Sequence, residues 1–291
     1  MVPYAPGPTD TVARIVAQSM QKPLGESIIV ENRPSAGGIL APELVKNAKP
    51  DGYTILIHHI GMATTPALYR NLRFNPLTDF EYIGLINDVP MTLIGKATLP
   101  AKDLKELLTY IKVNKDKVNF AHAGIGAASQ LCGMLFMSAI QTEMLTVPYK
   151  GTGPAMNDLL GGQVDLLCDQ TTNTTQQIKS GKVQAYGVTT LKRVPSLPEI
   201  PTLNEQGLKG FEVGIWHALY APKGTPKAVM DKLSGALQEA VKDPAVIQRF
   251  ADLGATTYPP DKATPGALQA HLKAEIEKWG PIIKKAGIYA D

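Results

Sequence analysis

The feature of this sequence that most constrains its fold is the stretch VNFAHAGIGAASQ at residues 118–130. The apolar residues at its start predict a short buried strand, and Leu131 and Leu135 beyond it have the spacing of one helix face. Gly124 and Gly126 lie between them, and glycine adopts backbone angles that other residues resist. The stretch is therefore predicted to form a strand, a glycine turn and the start of a helix.

The start of that helix predicts a binding function. The first turn of a helix carries backbone N–H groups without partners and the positive end of the helix dipole. Such an end binds an anion without help from a charged side chain. We interpret this corner as one half of a clamp for a carboxylate. The residues expected to contact the ligand are Gly124, Ile125, Gly126, Ala127, Ala128 and Ser129.

Similar corners recur along the chain, at residues 5–9, 60–64, 151–153 and 169–171, and a further short strand is expected at Ser27–Val30. Strands and helices alternate throughout, which favours parallel sheets. Ligands of open parallel sheets bind beyond the carboxyl ends of the strands. Because the corners fall into two groups in two units of similar size, we predict a ligand cleft between two lobes.

The predicted fold is therefore an α/β protein of two lobes, each a mainly parallel sheet flanked by helices. The first lobe is assigned residues 1–95 and 218–291, and the second lobe is assigned residues 96–217. Extended segments near residues 88–96 and 213–221 are predicted to cross between the lobes and to form a hinge.

Composition and charge exclude several classes of protein. The net charge of +3 is spread along 291 residues without a block of basic residues, so no nucleic-acid partner is predicted. No apolar run approaches the roughly 20 residues that span a bilayer. Histidine and cysteine do not cluster with the spacing of a zinc site, so neither a metal nor another cofactor is predicted.

The two cysteines, Cys132 and Cys168, leave two interpretations open. They are either two free, buried thiols or the two halves of one disulfide. A disulfide would imply that the protein works in an oxidising compartment.

Six motifs together point to a known family. The chain contains, in this order, PYAPGPTDTVAR, ENRPSAGG, KPDGYTIL, FAHAGIGAASQL, VPYKGTGPAMNDLLGGQVDLL and YAPKGTP. In these motifs it resembles the periplasmic solute-binding receptors of tripartite tricarboxylate transporters over nearly its whole length. The resemblance implies a two-lobed, type II-like periplasmic binding protein that captures an organic carboxylate for the subunits of a membrane permease. It also implies a monomer in the periplasm, made with a signal peptide.

The resemblance further implies that backbone amides of two loops, one per lobe, hold the carboxylate. The second loop is the glycine corner described above. The first loop maps to residues 4–10, within which the expected contacts are Tyr4, Pro6, Gly7 and Thr9. Pro8 stands where the family usually has a second glycine, and proline has no N–H to donate. The N–H or hydroxyl of Thr9 is expected to substitute for that donor.

Further side chains are expected to select the rest of the ligand. The candidates lie at the remaining corners and are His58, Gly61, Asp169 and Thr171. His58 and His59 are adjacent at a strand end and so point to opposite faces, which prevents them from binding one metal together. A structural role for each of them, and for His122, is the competing interpretation.

The chain also begins its first turn directly after Val2, so a leader and part of a first strand are expected upstream.

Two enzyme classes fit the same residues poorly. The spacing of Gly124, Gly126 and Ser129 nearly matches a dinucleotide fingerprint, but the next strand ends in Pro148 and Tyr149 where that fingerprint requires an acid. Ser129 and Ser138 both lack the G-x-S-x-G context of a hydrolase nucleophile. No catalytic residue is therefore predicted.

The sequence thus favours a transport receptor for one small carboxylate. The corners contain no arginine, which argues against a highly charged ligand such as citrate. An aromatic acid such as benzoate, nicotinate or terephthalate is the first choice, and an adipate-like dicarboxylate is its main rival. The alternatives are a carboxylate sensor that signals to a membrane kinase and an enzyme that acts on a carboxylate.

Overall fold

The computed structural model describes residues 1–287 and 289–290. Its strands form two sheets that share one long strand. The strands are β1 (Leu56–His59), β2 (Phe80–Lys96), β3 (Asn119–His122), β4 (Leu145–Pro148), β5 (Leu166–Gln170), β6 (Val183–Val188), β7 (Gly214–Pro222) and β8 (Thr256–Thr257). The first sheet contains β1, β7, the first part of β2 and β8. The second sheet contains β6, the rest of β2, β5, β3 and β4.

Helices cover both sheets. They are α1 (Pro8–Leu24), α2 (Leu40–Lys46), α3 (Gly61–Leu68), α4 (Leu104–Asn114), α5 (Ala128–Ala139), α6 (Thr152–Leu160), α7 (Thr171–Lys179), α8 (Lys227–Lys242), α9 (Pro244–Asp252) and α10 (Pro265–Ala286), with a short 3₁₀ turn at Ala36–Gly38. The apolar stripe of α8 that contains Leu233 and Leu237 is buried against the first sheet, as its helical spacing predicts. Within the described part of the chain, no helix is both long and apolar enough to cross a membrane.

The 17-residue strand β2 connects the two sheets. Its first part pairs with β7 as far as Pro90, and its second part pairs with β5 and β6 from Met91 onwards. The chain returns from the second sheet to the first just ahead of β7, and the fully buried Thr189 holds this segment at the same level. Its N–H donates to the carbonyl of Met91 at 2.9 Å, and its hydroxyl donates to the carbonyl of Val213 at 2.6 Å. One residue therefore ties both crossing segments together.

The prediction of mainly parallel sheets is wrong. β3 runs parallel to β4 and β5, whereas β2 is antiparallel to β5, β6, β7 and β8, and β1 is antiparallel to β7. The described pairs of the first sheet are all antiparallel, whereas the second sheet is mixed because β2 runs opposite to β5 and β6 beside the parallel strands β3, β4 and β5. Alternation of strands and helices in the sequence does not reveal the direction in which a crossing strand enters a sheet.

The predicted strand at Ser27–Val30 does not form, and the reason is the lack of a partner. Ile28 and Val30 are half-buried while Ile29 between them is 88% exposed, so the two-residue alternation of a strand is present. The segment is not assigned to either sheet.

The division into lobes remains a prediction about which parts move together. Strand pairing changes between Pro90 and Met91, inside the segment predicted as a hinge. Residues 214–217 were assigned to the second lobe, yet they pair with β2 in the first sheet. The first sheet therefore extends a few residues further along β7 than the predicted boundary.

A disulfide joins Cys132 of α5 to Cys168 of β5. Both cysteines are buried, with 1% and 0% of their surfaces exposed. Of the two interpretations that the sequence leaves open, the structure thus contains the bridge, which persists only in an oxidising environment. The bridge fixes the helix that begins at the glycine corner to a central strand of the second sheet.

Replacing both cysteines, Cys132→Ala with Cys168→Ala, should lower the free energy of unfolding by about 3–4 kcal/mol, because the bridge closes a loop with a sequence separation of 36. Urea denaturation of the variant and of the wild type, the latter with and without reductant, measures this difference. Reductant should destabilise only the wild type. Equal stability of all three samples would show that the bridge contributes nothing.

Candidate functional site

A small cavity of about 20 Å³ lies where the two lobes meet. Its walls come from both lobes and from five separate segments of the chain. The lining residues are Tyr4, Ala5, Pro8, Thr9, His59, Ala123, Ala127, Ala128, Ser129, Thr152, Asp169 and Gln170. This set contains no lysine and no arginine, so any anion bound there depends on neutral donors.

Four helices begin at or beside this cavity. Pro8, Ala128 and Thr152 are the first residues of α1, α5 and α6, and α7 begins directly after Gln170. None of these four helix starts has a side chain that caps it. Of the other described helices, α4, α9 and α10 have an N-cap residue whose side chain accepts from their first turn, whereas the N-cap residues of α2, α3 and α8 also make no such bond. The helix starts at the cavity therefore keep backbone N–H groups available for a ligand.

The α5 corner is held in shape by its own hydrogen bonds. The N–H of Ala123 donates to the hydroxyl oxygen of Ser129 at 2.9 Å, and the N–H of Ala127 donates to the carbonyl of Gly124 at 3.1 Å. Ala127 has the extended backbone that typically precedes a helix. These bonds fix the turn, and Ala128 and Ser129, whose N–H groups belong to the first helical turn, line the cavity.

The first-lobe loop reaches the cavity through Tyr4, Pro8 and Thr9. Pro8 is the first residue of α1, a position where a backbone N–H would have no partner inside the helix. Its missing donor therefore costs the helix nothing. The hydroxyl of Thr9 lies 3.4 Å from Nε2 of His217, and Thr9 lines the cavity as the sequence predicts.

His59, rather than the predicted His58, lines the cavity. The N–H of His59 donates to Nδ1 of His58 at 2.8 Å, and Nε2 of His58 lies 3.2 Å from the carbonyl of Gly38. Both ring nitrogens of His58 are thus occupied within the first lobe. Adjacent strand residues point to opposite faces, and only the fold decides which face meets the cavity.

His59 presents a neutral donor to the cavity. Its ring stacks on Tyr4, with centroids 5.1 Å apart, and the N–H of Gly61 donates to its Nδ1 at 2.9 Å. The proton of the neutral imidazole is therefore on Nε2. Burial, together with His58 and His217 nearby, holds the pKa of His59 well below its usual value. Gly61, a predicted contact, has its N–H committed to this ring and does not line the cavity.

Asp169 is the one acid in the cavity wall, and it is 1% exposed. Its carboxylate accepts from the N–H of Gln170 at 2.8 Å and from Nδ2 of Asn173 at 2.7 Å. Burial outweighs these hydrogen bonds and raises the pKa of Asp169 to about 6. An acid in this position accepts a hydrogen bond from a ligand and disfavours a second negative charge placed directly against it.

The remaining predicted residues of the glycine corner contact the other lobe instead of lining the cavity. The hydroxyl of Tyr69 donates to the carbonyl of Ile125 at 2.8 Å, and the hydroxyl of Thr64 donates to the carbonyl of Gly126 at 3.2 Å. A Cβ on Gly124 would overlap the backbone of the 3₁₀ turn. These three residues, Gly124, Ile125 and Gly126, therefore allow the two lobes to approach closely. The prediction was instead that they contact the ligand.

Pro6 and Gly7 make the same kind of contact on the opposite side. The N–H of Ala5 donates to the carbonyl of Lys150 at 3.0 Å, and the backbone of Gly153 packs against Pro6 and Gly7. Neither Pro6 nor Gly7 lines the cavity. Thr171, which begins α7, is fully buried behind Gln170 and also does not line it.

Six lining residues were not among the predicted contacts. These are Ala5, Pro8, His59, Ala123, Thr152 and Gln170. Thr152 and Gln170 belong to corners that the sequence does reveal, at residues 151–153 and 169–171. A turn followed by a helix start was therefore a sequence signal that could have identified both residues.

Side chains that could hold a metal do not cluster anywhere in residues 1–287 or 289–290.

Asp169→Asn should change how stability depends on pH. Asp169 is protonated below a pKa of about 6 in the folded protein and below 3.8, its ordinary value, when unfolded. Between these values the folded state binds the additional proton, so the wild type loses about 2–3 kcal/mol relative to the variant as pH rises from 4 to 7. Thermal unfolding of both proteins across this range measures the difference, and a flat difference would contradict the assignment.

Gly153→Ala should keep the lobes apart without harming either of them. Gly153 lies in α6 with an ordinary backbone, and a Cβ there would overlap the carbonyl oxygen of Pro6 in the other lobe. Small-angle scattering should therefore give a larger radius of gyration than for the wild type. The matched control is Gly235→Ala in α8, where a Cβ meets open space. Identical scattering of the two variants would mean that this contact does not limit closure.

Comparison with known proteins gives consistent results. Residues 12–288 match the model of the tripartite tricarboxylate transporter family receptor. The chain is 53% identical over 288 residues to an Agrobacterium vitis protein described as the UPF0065 protein in the TAR-I ttuE-ttuC' intergenic region. That alignment covers 99% of this chain and 83% of the relative.

Two solved structures are similar over almost their whole length. The periplasmic binding protein BugD is 55% identical with a TM-score of 0.97, and the match covers 99% of this chain and 96% of BugD. MatC from Rhodopseudomonas palustris, solved with bound malate, is 39% identical with a TM-score of 0.93, and the match covers 97% of each chain.

Proposed function

Because the chain belongs to the family of tripartite tricarboxylate transporter receptors, as its motifs predicted, we propose that its interlobe cavity captures a small organic carboxylate for the permease of such a transporter. The family is one of periplasmic solute-binding proteins with two lobes. The observation that carries the proposal is the meeting of uncapped helix starts from both lobes at a cavity without a cationic side chain.

The energy available from such a site is sufficient for capture. A hydrogen bond between a backbone N–H and a charged carboxylate contributes about 1.5–3 kcal/mol. Micromolar affinity needs about 8 kcal/mol net. Three to four bonds from the starts of α1, α5 and α6 provide energy on that scale, and the neutral donor on His59 adds to them.

We propose a short aliphatic dicarboxylate as the preferred ligand, in place of the aromatic acid favoured by the sequence. Donors approach the cavity from both lobes, which suits a molecule with an acid group at each end. The hydroxyls of Thr9, Ser129 and Thr152 give the wall more polar groups than an aromatic ring would use. The similar protein MatC was solved with malate, a dicarboxylate that also carries a hydroxyl for Asp169 to accept from.

The protein would carry out this capture in the periplasm, as a monomer and without a cofactor. The disulfide supports an oxidising compartment. Membership in a receptor family supports a binding role over an enzymatic one, and among the described residues no observation favours a reaction. Release of the ligand would occur at the membrane permease, when the lobes separate about β2 and the crossing at Thr189.

Ala128→Pro tests the α5 helix start as the binding group. Proline fits the first position of a helix, and Ala127 before it already has the extended backbone that proline requires. The substitution removes one N–H at the cavity and places ring atoms there, so the dissociation constant for malate should rise at least 10- to 100-fold, the equivalent of about 1.5–3 kcal/mol. Isothermal titration calorimetry measures the change.

Lys227→Pro is the matched control, because Lys227 is the exposed first residue of α8, far from the cavity, and also follows an extended residue. It should bind malate like the wild type. The wild type should be tested with malate, adipate and benzoate in parallel, and preference for benzoate would return the ligand to the aromatic class. Unchanged affinity of Ala128→Pro for every acid that binds would show that the α5 helix start is not the site.

A further inference from the structure

A chain of three buried side chains lies behind the wall of the cavity in the first lobe. Asn87 of β2 and His217 of β7 are directly paired across the first sheet, and both are fully buried. Nδ1 of His217 lies 3.0 Å from the amide oxygen of Asn87, and Nε2 lies 3.4 Å from the hydroxyl of Thr9. Thr9 lines the cavity and the other two residues do not, so any effect of Asn87 or His217 on a ligand passes through Thr9.

The ring of His217 is neutral, and its neighbours decide which nitrogen carries the proton. Burial, together with His58 nearby, lowers the pKa of His217 to about 3. A neutral imidazole has one donor nitrogen and one acceptor nitrogen. Because Nδ1 faces the amide oxygen of Asn87, which can only accept, the proton is on Nδ1. Nε2 is therefore an acceptor, and the hydroxyl of Thr9 donates to it.

This bond fixes the polarity of the Thr9 hydroxyl towards the cavity. A hydroxyl group has one hydrogen and two lone pairs. Since the hydrogen of Thr9 is committed to His217, Thr9 presents a lone pair to a ligand and has no hydrogen left to donate from its side chain. Ser129 is the opposite case, because its oxygen accepts from the N–H of Ala123 at 2.9 Å and its hydrogen remains available.

The second lobe adds acceptors to the same small cavity. At neutral pH the carboxylate of Asp169 is ionised, since its pKa is about 6, and it can only accept. Gln170 also lines the cavity and is 3% exposed. Its amide oxygen is buried and has no hydrogen-bond partner among the residues that the structure describes. Both lobes thus contribute acceptors to a site whose helix starts contribute donors.

We propose that Asn87 and His217 are positioning residues that hold the Thr9 hydroxyl as an acceptor, so that the site selects carboxylates with an O–H or N–H donor on their carbon chain. This selection rests on the proposed capture of a carboxylate, in which the helix starts bind the acid groups. A ligand with only methylene groups would leave the buried oxygen of Thr9 unpaired. Sites built to bond a hydroxyl strongly reject an analogue that lacks it.

Malate and succinate test the selection, because they have the same carbon chain and differ by one hydroxyl. The wild type should bind malate at least about tenfold more tightly than succinate, which is the effect of one buried acceptor left unpaired. Aspartate has an ammonium group on the carbon that carries the hydroxyl of malate. Its affinity in the same calorimetric titrations distinguishes a charged N–H donor from a neutral O–H donor.

Thr9→Val removes the hydroxyl and keeps the shape of the side chain. It should weaken malate binding about tenfold and change succinate binding much less, whereas Thr9→Ser, which retains the hydroxyl, should keep the preference for malate. His217→Phe keeps a ring but has no acceptor nitrogen, so it should reduce the preference even though Thr9 is still present. A donor role for Thr9 predicts instead that Thr9→Val weakens both acids equally, and that result would overturn the proposal.

The proton on the ring can also be located without a substitution. In ¹H–¹⁵N spectra of the histidine side chains at neutral pH, Nδ1 of His217 should carry the proton and Nε2 should have the shift of an unprotonated nitrogen. A proton on Nε2 would overturn the proposal, because Thr9 would then accept from His217 and keep its own hydrogen for the ligand.

The binding data separate this proposal from the proposed function. Equal affinities of the wild type for malate, aspartate and succinate would overturn the selection for a donor and leave the capture of carboxylates intact. Failure of all three acids to bind would contradict the capture of a small carboxylate and, with it, the selection.

Discussion

The structure depends on backbone N–H groups that helices cannot satisfy by themselves. Four helices begin at one cavity and none of the four has a side-chain cap. Elsewhere the N-cap residues Asp103, Asp243 and Thr264 cap three helices with their side chains, and the N-cap residues of α2, α3 and α8 do not. A missing cap costs roughly 0.5–2 kcal/mol of helix stability. At the cavity, the oxygen atoms of the proposed carboxylate ligand would take the place of the cap. Ligand binding would in this way also stabilise the helices.

The sequence predicts these helix starts because each is formed by residues that lie close together in the chain. A strand, a glycine turn and a helix start can be recognised within a dozen residues, and the α5 corner and the corner at Asp169 were predicted in that way, whereas Thr9 was implied by the family resemblance. The residues that contact these corners from the opposite lobe are far away in the sequence. Gly124 and Gly126 have the conformational freedom expected of them, yet they serve the close approach of the other lobe, which depends on Tyr69 and Thr64 far away in the chain. The choice between His58 and His59 likewise depends on which strand face the fold turns to the cavity.

The errors in the predicted sheets have a related physical cause. Hydrophobic periodicity shows which side chains face a core. It does not show which strand pairs with the segment through backbone hydrogen bonds. Residues 27–30 have the periodicity of a strand and lack a ladder partner, while β2 has a partner on each side and changes partners at Met91. Strand direction and pairing are properties of the assembled sheet. They emerge only when the crossing segments, tied by Thr189, are placed together.

The disulfide links oxidation to recognition without touching the cavity. Cys132 lies one helical turn beyond Ser129, and Cys168 directly precedes Asp169, so the bridge joins the segments behind two walls of the site. Thiol–disulfide exchange at this bond would release both segments from one another in a single step. If the cavity binds a carboxylate as proposed, the affinity would therefore depend on redox state, because the reduced chain would hold these two segments less firmly.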